Sequence, residues 1–110
     1  MPPMLDSALR ALAEPRRREI LRLIQSTERP AGEIASHFDV TRPAISQHLR
    51  VLVLSGLVTV RRDRTRLLYR ARPEGLEDVR DYLYQFWDEG LERLKSAAEA
   101  DERRRISEPG

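Results

Sequence analysis

The 110-residue sequence predicts a mainly α fold with one small β-hairpin. Three observations predict it. Apolar residues recur at three- and four-residue spacing in four separate segments. Residues 57–72 are instead rich in β-forming side chains around a charged turn, Asp63-Arg64-Thr65. Pro15, Gly56 and Pro73 stand at the joints between these segments. The length corresponds to about one domain of ~100–150 residues. It leaves no room for a catalytic domain beside a binding domain.

Met4, Leu5, Ala8, Leu9 and Leu12 share a helical face and predict a helix over residues 4–13. Glu14-Pro15 breaks it. Proline suits the first position of the next helix, where its missing N–H is not needed. That helix is expected over 15–26, with Ile20, Leu21, Leu23 and Ile24 inward. Arg16, Arg17 and Arg18 fall in its first turn, the unfavourable end of a helix dipole for cations. Partner carboxylates or phosphates would explain them; a solvated surface is the simpler reading. Residues 26–30 read as a connector. Residues 31–37 are expected to form a short helix with Ile34 and Ala35 inward. Phe38-Asp39-Val40 makes a turn whose valine plugs the core. Thr41 is a favourable N-cap for a helix over 42–54, with Ile45, Leu49, Leu52 and Val53 on its inner side. Ser55-Gly56 closes that helix, because glycine tolerates a left-handed backbone. Strands are expected over 57–62 and 66–72, with Pro73 ending the hairpin. Leu76, Val79, Leu83, Phe86, Trp87, Leu91 and Leu94 predict the longest helix over 74–98. Beyond it only Ala100 and Ile106 are apolar, which predicts a frayed or disordered tail. The expected division is one domain over 1–98 and a charged tail over 99–110.

Composition excludes several chemistries. There is no cysteine, so disulfides, thiolate metal sites and cysteine nucleophiles are absent together. No apolar run approaches the ~20 residues of a membrane span. The opening Met1-Pro2-Pro3-Met4-Leu5-Asp6 lacks the pattern of a signal peptide. A cytoplasmic location without a membrane partner is expected. The net charge of +2 hides a polarity. Residues 1–72 carry 14 Arg and 7 Asp or Glu; residues 73–110 carry 6 Lys or Arg and 11 Asp or Glu. A basic body with an acidic end points to a polyanion partner for the body. With 19 Arg and one Lys, an arginine-rich solvated surface is the alternative, and composition alone leaves the two open.

The element order resolves them. A short helix, a four-residue turn and a longer helix form a helix-turn-helix unit, and the basic hairpin after it makes the winged version. The outer face of the 42–54 helix carries Arg42, Pro43, Ser46, Gln47 and Arg50. No carboxylate occurs in the 23 residues from Val40 to Arg62. Arg and Gln pair bidentately with guanine and adenine edges, and a helix fits a major groove ~12 Å wide. Arg61, Arg62, Arg64 and Arg66 crowd one turn, and a phosphate backbone or minor groove would offset their mutual repulsion. The candidate DNA-contacting residues are therefore Thr41, Arg42, Pro43, Ser46, Gln47, Arg50, Arg61, Arg62, Arg64 and Arg66.

Two segments carry a family resemblance. The first is Ala11-Leu12-Ala13-Glu14-Pro15-Arg16-Arg17-Arg18-Glu19-Ile20-Leu21-Arg22-Leu23. The second is Ile45-Ser46-Gln47-His48-Leu49-Arg50-Val51-Leu52 with Ser55-Gly56-Leu57-Val58. Both resemble ArsR-type winged helix-turn-helix repressors, over roughly residues 4–97. The resemblance implies a small homodimeric bacterial transcriptional repressor acting on an inverted-repeat operator. It places Arg42, Pro43, Ser46 and Gln47 at base- or phosphate-contacting positions. His48 matches a histidine of the family, leaving open whether it reaches phosphate or packs. The metal sites of the family lack their ligands here. The segment Glu33-Ile34-Ala35-Ser36-His37 has no thiolate, and residues 74–105 have no histidine. No metal and no cofactor is expected, and the chain is closer to the cysteine-free branch.

Tyr82, Leu83, Phe86, Trp87 and Leu91 lie within ten residues, more apolar surface than the body needs. An intrachain groove could cover them. The resemblance instead places the first and last helices in a two-fold interface, with Leu5, Leu9, Leu83, Phe86, Trp87 and Leu94 as candidates. Such a dimer matches a palindromic site with recognition helices ~34 Å apart. Two alternatives stand beside the repressor. One is a protein-interaction module docking through the last helix. The other is the same repressor released by an unidentified small-molecule effector near Tyr82, Phe86 and Trp87. An enzyme is not expected, because neither a phosphate-cradling glycine loop nor a nucleophile–histidine pair is present.

Overall fold

The computed structural model describes residues 4–107. The elements are α1 (Leu5–Ala13), α2 (Pro15–Leu23), β1 (Arg29–Pro30), α3 (Ala31–Ser36), α4 (Arg42–Leu54), β2 (Val58–Asp63), β3 (Arg66–Ala71) and α5 (Pro73–Ser107). They form two compact units, one ending at Val79 and the other starting at Arg80. The boundary expected at residue 98 thus falls within the helix and well before its end.

The first unit closes around Ile20, Ile24, Ile34, Ile45, Leu49, Leu52 and Leu57, all fully buried. Each contributes about 1.5–3 kcal/mol relative to an exposed side chain. The buried stripe of α1 is Leu5, Ala8 and Ala11. Leu5 is 3% exposed within its own chain. It is a core residue and leaves the set of interface candidates. Leu9 is half-buried.

Helix α2 ends three residues earlier than expected because Ile24 is diverted. Its N–H still reaches Ile20 O, but its carbonyl accepts from Ala71 N at 3.1 Å. The chain then enters a strand that the sequence reading placed inside a connector. Arg29 pairs with Tyr69 and Pro30 with Leu68, so the sheet has three strands in the order β1-β3-β2. Two residues carry no alternation to detect, and proline fits only an edge strand. Helix α3 stops at Ser36, one residue short of the expectation. Its last turn is closed by the Ser36 hydroxyl and the His37 ring, both bonded to Glu33 O.

Helix α4 has the expected bounds. The Thr41 hydroxyl accepts from Ala44 N at 3.3 Å, and Gly56 beyond its end has φ +78. The first turn of α5 presses on this corner. Gly75 is buried, and a Cβ there would stand 2.1 Å from Gly56 O. Arg72 closes the same corner, donating from its backbone to Leu57 O and from its side chain to Gly56 O.

The helix predicted to stop at residue 98 continues to Ser107. Residues 99–107 lack an apolar stripe but are rich in Ala, Glu and Arg, good helix formers. Asp101 and Arg105 pair at i,i+4, and Arg104 and Arg105 sit at the end a helix dipole favours for cations. Residues 108–110 of the expected tail lie outside the described residues.

The tight corner makes a stability prediction. Gly75→Ala should cost about 1–3 kcal/mol, since the obstacle is backbone and cannot rotate away. For a unit of this size that is a fall in Tm of about 4–8 °C per kcal/mol, read by thermal denaturation.

Candidate nucleic-acid interface

Helix α4 has two faces fixed by its packing. Ile45, Leu49 and Leu52 are fully buried, which turns Arg42, Pro43, Ser46, Gln47 and Arg50 to solvent. Thr41 is exposed too, but its hydroxyl is occupied as the N-cap. No acidic residue stands in the first turn of α4. His48 takes no part in the exposed face. It is half-buried, with Nδ1 3.4 Å from a guanidinium nitrogen of Arg17. Arginine can only donate, so Nδ1 accepts. The histidine packs against α2.

The arginine run of α2 is explained within the chain, by helix-end carbonyls and one of the partner carboxylates offered above. Arg17 Nε donates to Ala11 O at 2.7 Å and Arg18 donates to Leu12 O at 2.6 Å. These carbonyls are the unsatisfied end of α1, where cations are favourable. Arg16 pairs with Glu19, and its guanidinium lies 5.2 Å from the centre of the Phe38 ring. All three have partners within the chain, in place of the solvated surface expected.

The wing is a hairpin with a two-residue tip, Arg64-Thr65, between the paired Asp63 and Arg66. Arg64 has φ +60, a left-handed conformation that glycine or asparagine adopts more readily. The four wing arginines do not act as one group. Arg61 is opposite Leu68, which is opposite Pro30, so all three side chains lie on one sheet face. Across that face Arg61 reaches Glu28, donating from Nε to both carboxylate oxygens at 3.0 and 2.9 Å and from a terminal nitrogen to Oε1. Arg62 is opposite Leu67, on the other face.

That other face borders an open groove of about 440 Å³ between the wing and α4. Arg42 and Ser46 of α4 line one side; Thr65, Arg66, Leu67 and Tyr69 of the wing line the other. Among the described residues, Arg42, Arg50, Arg62, Arg64 and Arg66 have neither a salt bridge nor a side-chain hydrogen bond. The structure therefore unites most of the expected set around α4 and the wing. It diverts Arg61 to Glu28. Glu28 and the groove residues Pro30, Ala31, Gly32, Thr65, Leu67 and Tyr69 were not in that expected set. The last two could have been found from the period of two along β3. Among the described residues no group of three or more His, Asp or Glu side chains is placed to hold a metal ion. No helix is long and apolar enough to cross a membrane, again among the described residues.

A helix-turn-helix with its second helix turned outward and a basic hairpin beside it defines a winged helix-turn-helix DNA-binding protein. Residues 12–61 match the family described as "Helix-turn-helix domain". The chain is 41% identical over 86 residues to the HTH-type transcriptional regulator Rv2034 of Mycobacterium tuberculosis, covering 78% of this chain and 80% of that protein. It is 29% identical to the transcriptional repressor SdpR of Bacillus subtilis, covering 78% of this chain and 96% of that one. A solved structure from Mycobacterium bovis, described as the homodimeric winged helix-turn-helix DNA-binding domain of a possible ArsR-family transcriptional regulator, superposes with a TM-score of 0.63. It is 32% identical, covering 80% of this chain and 82% of that one. The chain belongs to the ArsR family of winged helix-turn-helix transcriptional regulators. It is a DNA-binding regulator.

The sorting of the wing arginines is testable. Arg61→Gln should leave the salt dependence of DNA binding unchanged, whereas Arg62→Gln should lower the log–log slope by about 0.9, one phosphate's worth. Hydrogen bonding to Arg61 holds the Glu28 carboxyl below its ordinary range. The pair therefore persists at neutral pH and is lost only as pH falls through that lowered value.

Proposed function

We propose that this regulator is a homodimeric repressor of an inverted-repeat operator, acting in the cytoplasm without catalysis. The observation that carries the reading is an apolar face on α5 with nothing against it in its own unit. Leu83, Phe86, Trp87, Leu91 and Leu94 recur at three- and four-residue spacing and are 44–67% exposed. Exposed apolar area of this size in one stripe marks an interaction surface. A second copy is the occupant that a palindromic site requires. The homodimeric description of the M. bovis neighbour and the repressor name of SdpR support the same reading. In this reading Arg42, Pro43, Ser46, Gln47 and Arg50 enter the major groove, and Arg62, Arg64 and Arg66 follow the adjoining backbone. Thr41 supports the contact as the helix cap. Leu9, half-buried on α1, remains an interface candidate.

Two measurements test it. A dimer meeting ~8 phosphates should bind its duplex with a log–log salt slope of about −7; a flat titration contradicts duplex binding. Trp87→Ala should remove about 2–3 kcal/mol of apolar burial from the dimer. That weakens self-association roughly 30- to 150-fold in sedimentation equilibrium. A wild-type chain that sediments as a monomer at micromolar concentration contradicts the dimer.

A further inference from the structure

We propose that Thr65, at the tip of the wing, is a phosphoacceptor, and that a phosphoryl group there switches off the attraction of the wing for duplex. The donor is a nucleoside triphosphate, used by a serine/threonine kinase whose peptide cleft is acidic. The proposal rests on the duplex-binding reading above and adds a means of release to it.

Three observations single out this hydroxyl. First, it is exposed and unoccupied. The hydroxyls of Ser36, Ser55 and Thr59 donate to backbone carbonyls, and that of Thr41 caps α4. Thr65 is exposed and has no hydrogen-bond partner among the described residues. Ser7, Ser46 and Ser96 stand inside helices, where the chain around them cannot straighten into a cleft. Second, Thr65 sits where the sheet ends. Asp63 and Arg66 are the last pair of the β2–β3 ladder, and Arg64 between them has φ +60, unfavourable for a residue with a side chain. The tip therefore opens before the rest of the hairpin. Third, Arg62, Arg64 and Arg66 flank the hydroxyl within three residues, and none has an ion pair or a side-chain hydrogen bond. Ser26 and Thr27, exposed outside the helices as well, adjoin Glu28 instead. Charge pattern around the acceptor is what an acidic cleft reads, and it favours Thr65.

In the transfer, the Thr65 hydroxyl oxygen attacks the γ-phosphorus. The new O–P bond forms as the bond from that phosphorus to the β–γ bridging oxygen breaks. The nucleoside diphosphate leaves, and the hydroxyl proton passes to a carboxylate base of the kinase. The product carries a charge of about −1.5 to −2 at pH 7. Residues 62–66 hold three arginines and one aspartate, a net +2. The modification cancels it, and the phosphoryl oxygens accept from the flanking guanidiniums that otherwise face the duplex.

The full chain is incubated with the catalytic domain of an arginine-directed serine/threonine kinase and magnesium ATP. Tandem mass spectrometry should place a phosphoryl group on Thr65. Thr65→Ser should keep the incorporation, Thr65→Ala should lose it, and Arg62→Gln should slow it several-fold. The phosphorylated chain is then titrated against a duplex that the unmodified protein selects from a random pool. Its affinity should fall roughly tenfold or more, and its log–log salt slope by about 2.7 per subunit, three phosphates' worth. Phosphatase treatment should restore both. Thermal melts separate loss of binding from loss of fold. A chain that takes no phosphoryl group at Thr65, or a phosphorylated chain that binds the duplex as tightly as the unmodified one, overturns the proposal while duplex binding stands. If the unmodified chain binds no duplex in a salt-dependent way, the duplex-binding reading itself fails.

Discussion

Everything at the DNA-facing surface depends on how α4 is clamped about its own axis. Ile45, Leu49 and Leu52 are inserted to full burial, and successive helix residues are about 100° apart. With those three side chains inside, Ser46, Gln47 and Arg50 have no freedom to be anywhere but outside. The cap at Thr41 and the left-handed Gly56 fix where the helix starts and stops. The tight seating of Gly75 against Gly56 holds that end in place. Function at the surface is thus set by apolar packing beneath it.

Charge is distributed by the same economy. The chain has far more arginines than a fold needs, and it uses them in two ways. Arg17 and Arg18 close the carbonyl end of α1, Arg29 holds Glu33, Arg61 holds Glu28, and Arg72 braces the corner at Gly56. Arg42, Arg50, Arg62, Arg64 and Arg66 are left without internal partners on α4 and the wing. Exposed ion pairs contribute little to stability. Their value here is selective: each paired arginine is withdrawn from competition for phosphate, while Arg42, Arg50, Arg62, Arg64 and Arg66 stay available on α4 and the wing. The wing arginines show the division within a single hairpin, since Arg61 and Arg62 are neighbours in sequence and lie on opposite faces of the sheet.

Much of this was legible in the residues, and the failures have physical causes. Strong apolar periodicity with a good cap gave α4 to the residue. The helix-turn-helix order and the hairpin followed from period and turn chemistry. Strand β1 was invisible because two residues have no period, and its pairing with Tyr69 and Leu68 is a long-range fact. The early end of α2 has the same origin: the Ile24 carbonyl is claimed by Ala71, 47 positions along the chain. Residues 99–107 carry no apolar stripe to signal a helix, and helix propensity with the Asp101–Arg105 pair sustains one there. Leu5 carries the same apolar signal whether it faces a partner or its own core, and only packing distinguishes the two. The grouping of wing arginines failed for a related reason, because composition counts charges without regard to the pleat that separates them.

The three-stranded sheet also determines how copies of this chain cannot meet. A sheet edge with unpaired backbone groups recruits strands from other molecules. Here one edge is β1, only two residues long and ending in Pro30, which has no N–H to offer. The other edge is β2, which carries Arg62 without an internal partner. A shortened strand ending in proline and an unpaired charge on the edge both discourage ladder extension. Both borders of the sheet are thereby poor templates for a further strand, and the ladder stops at three.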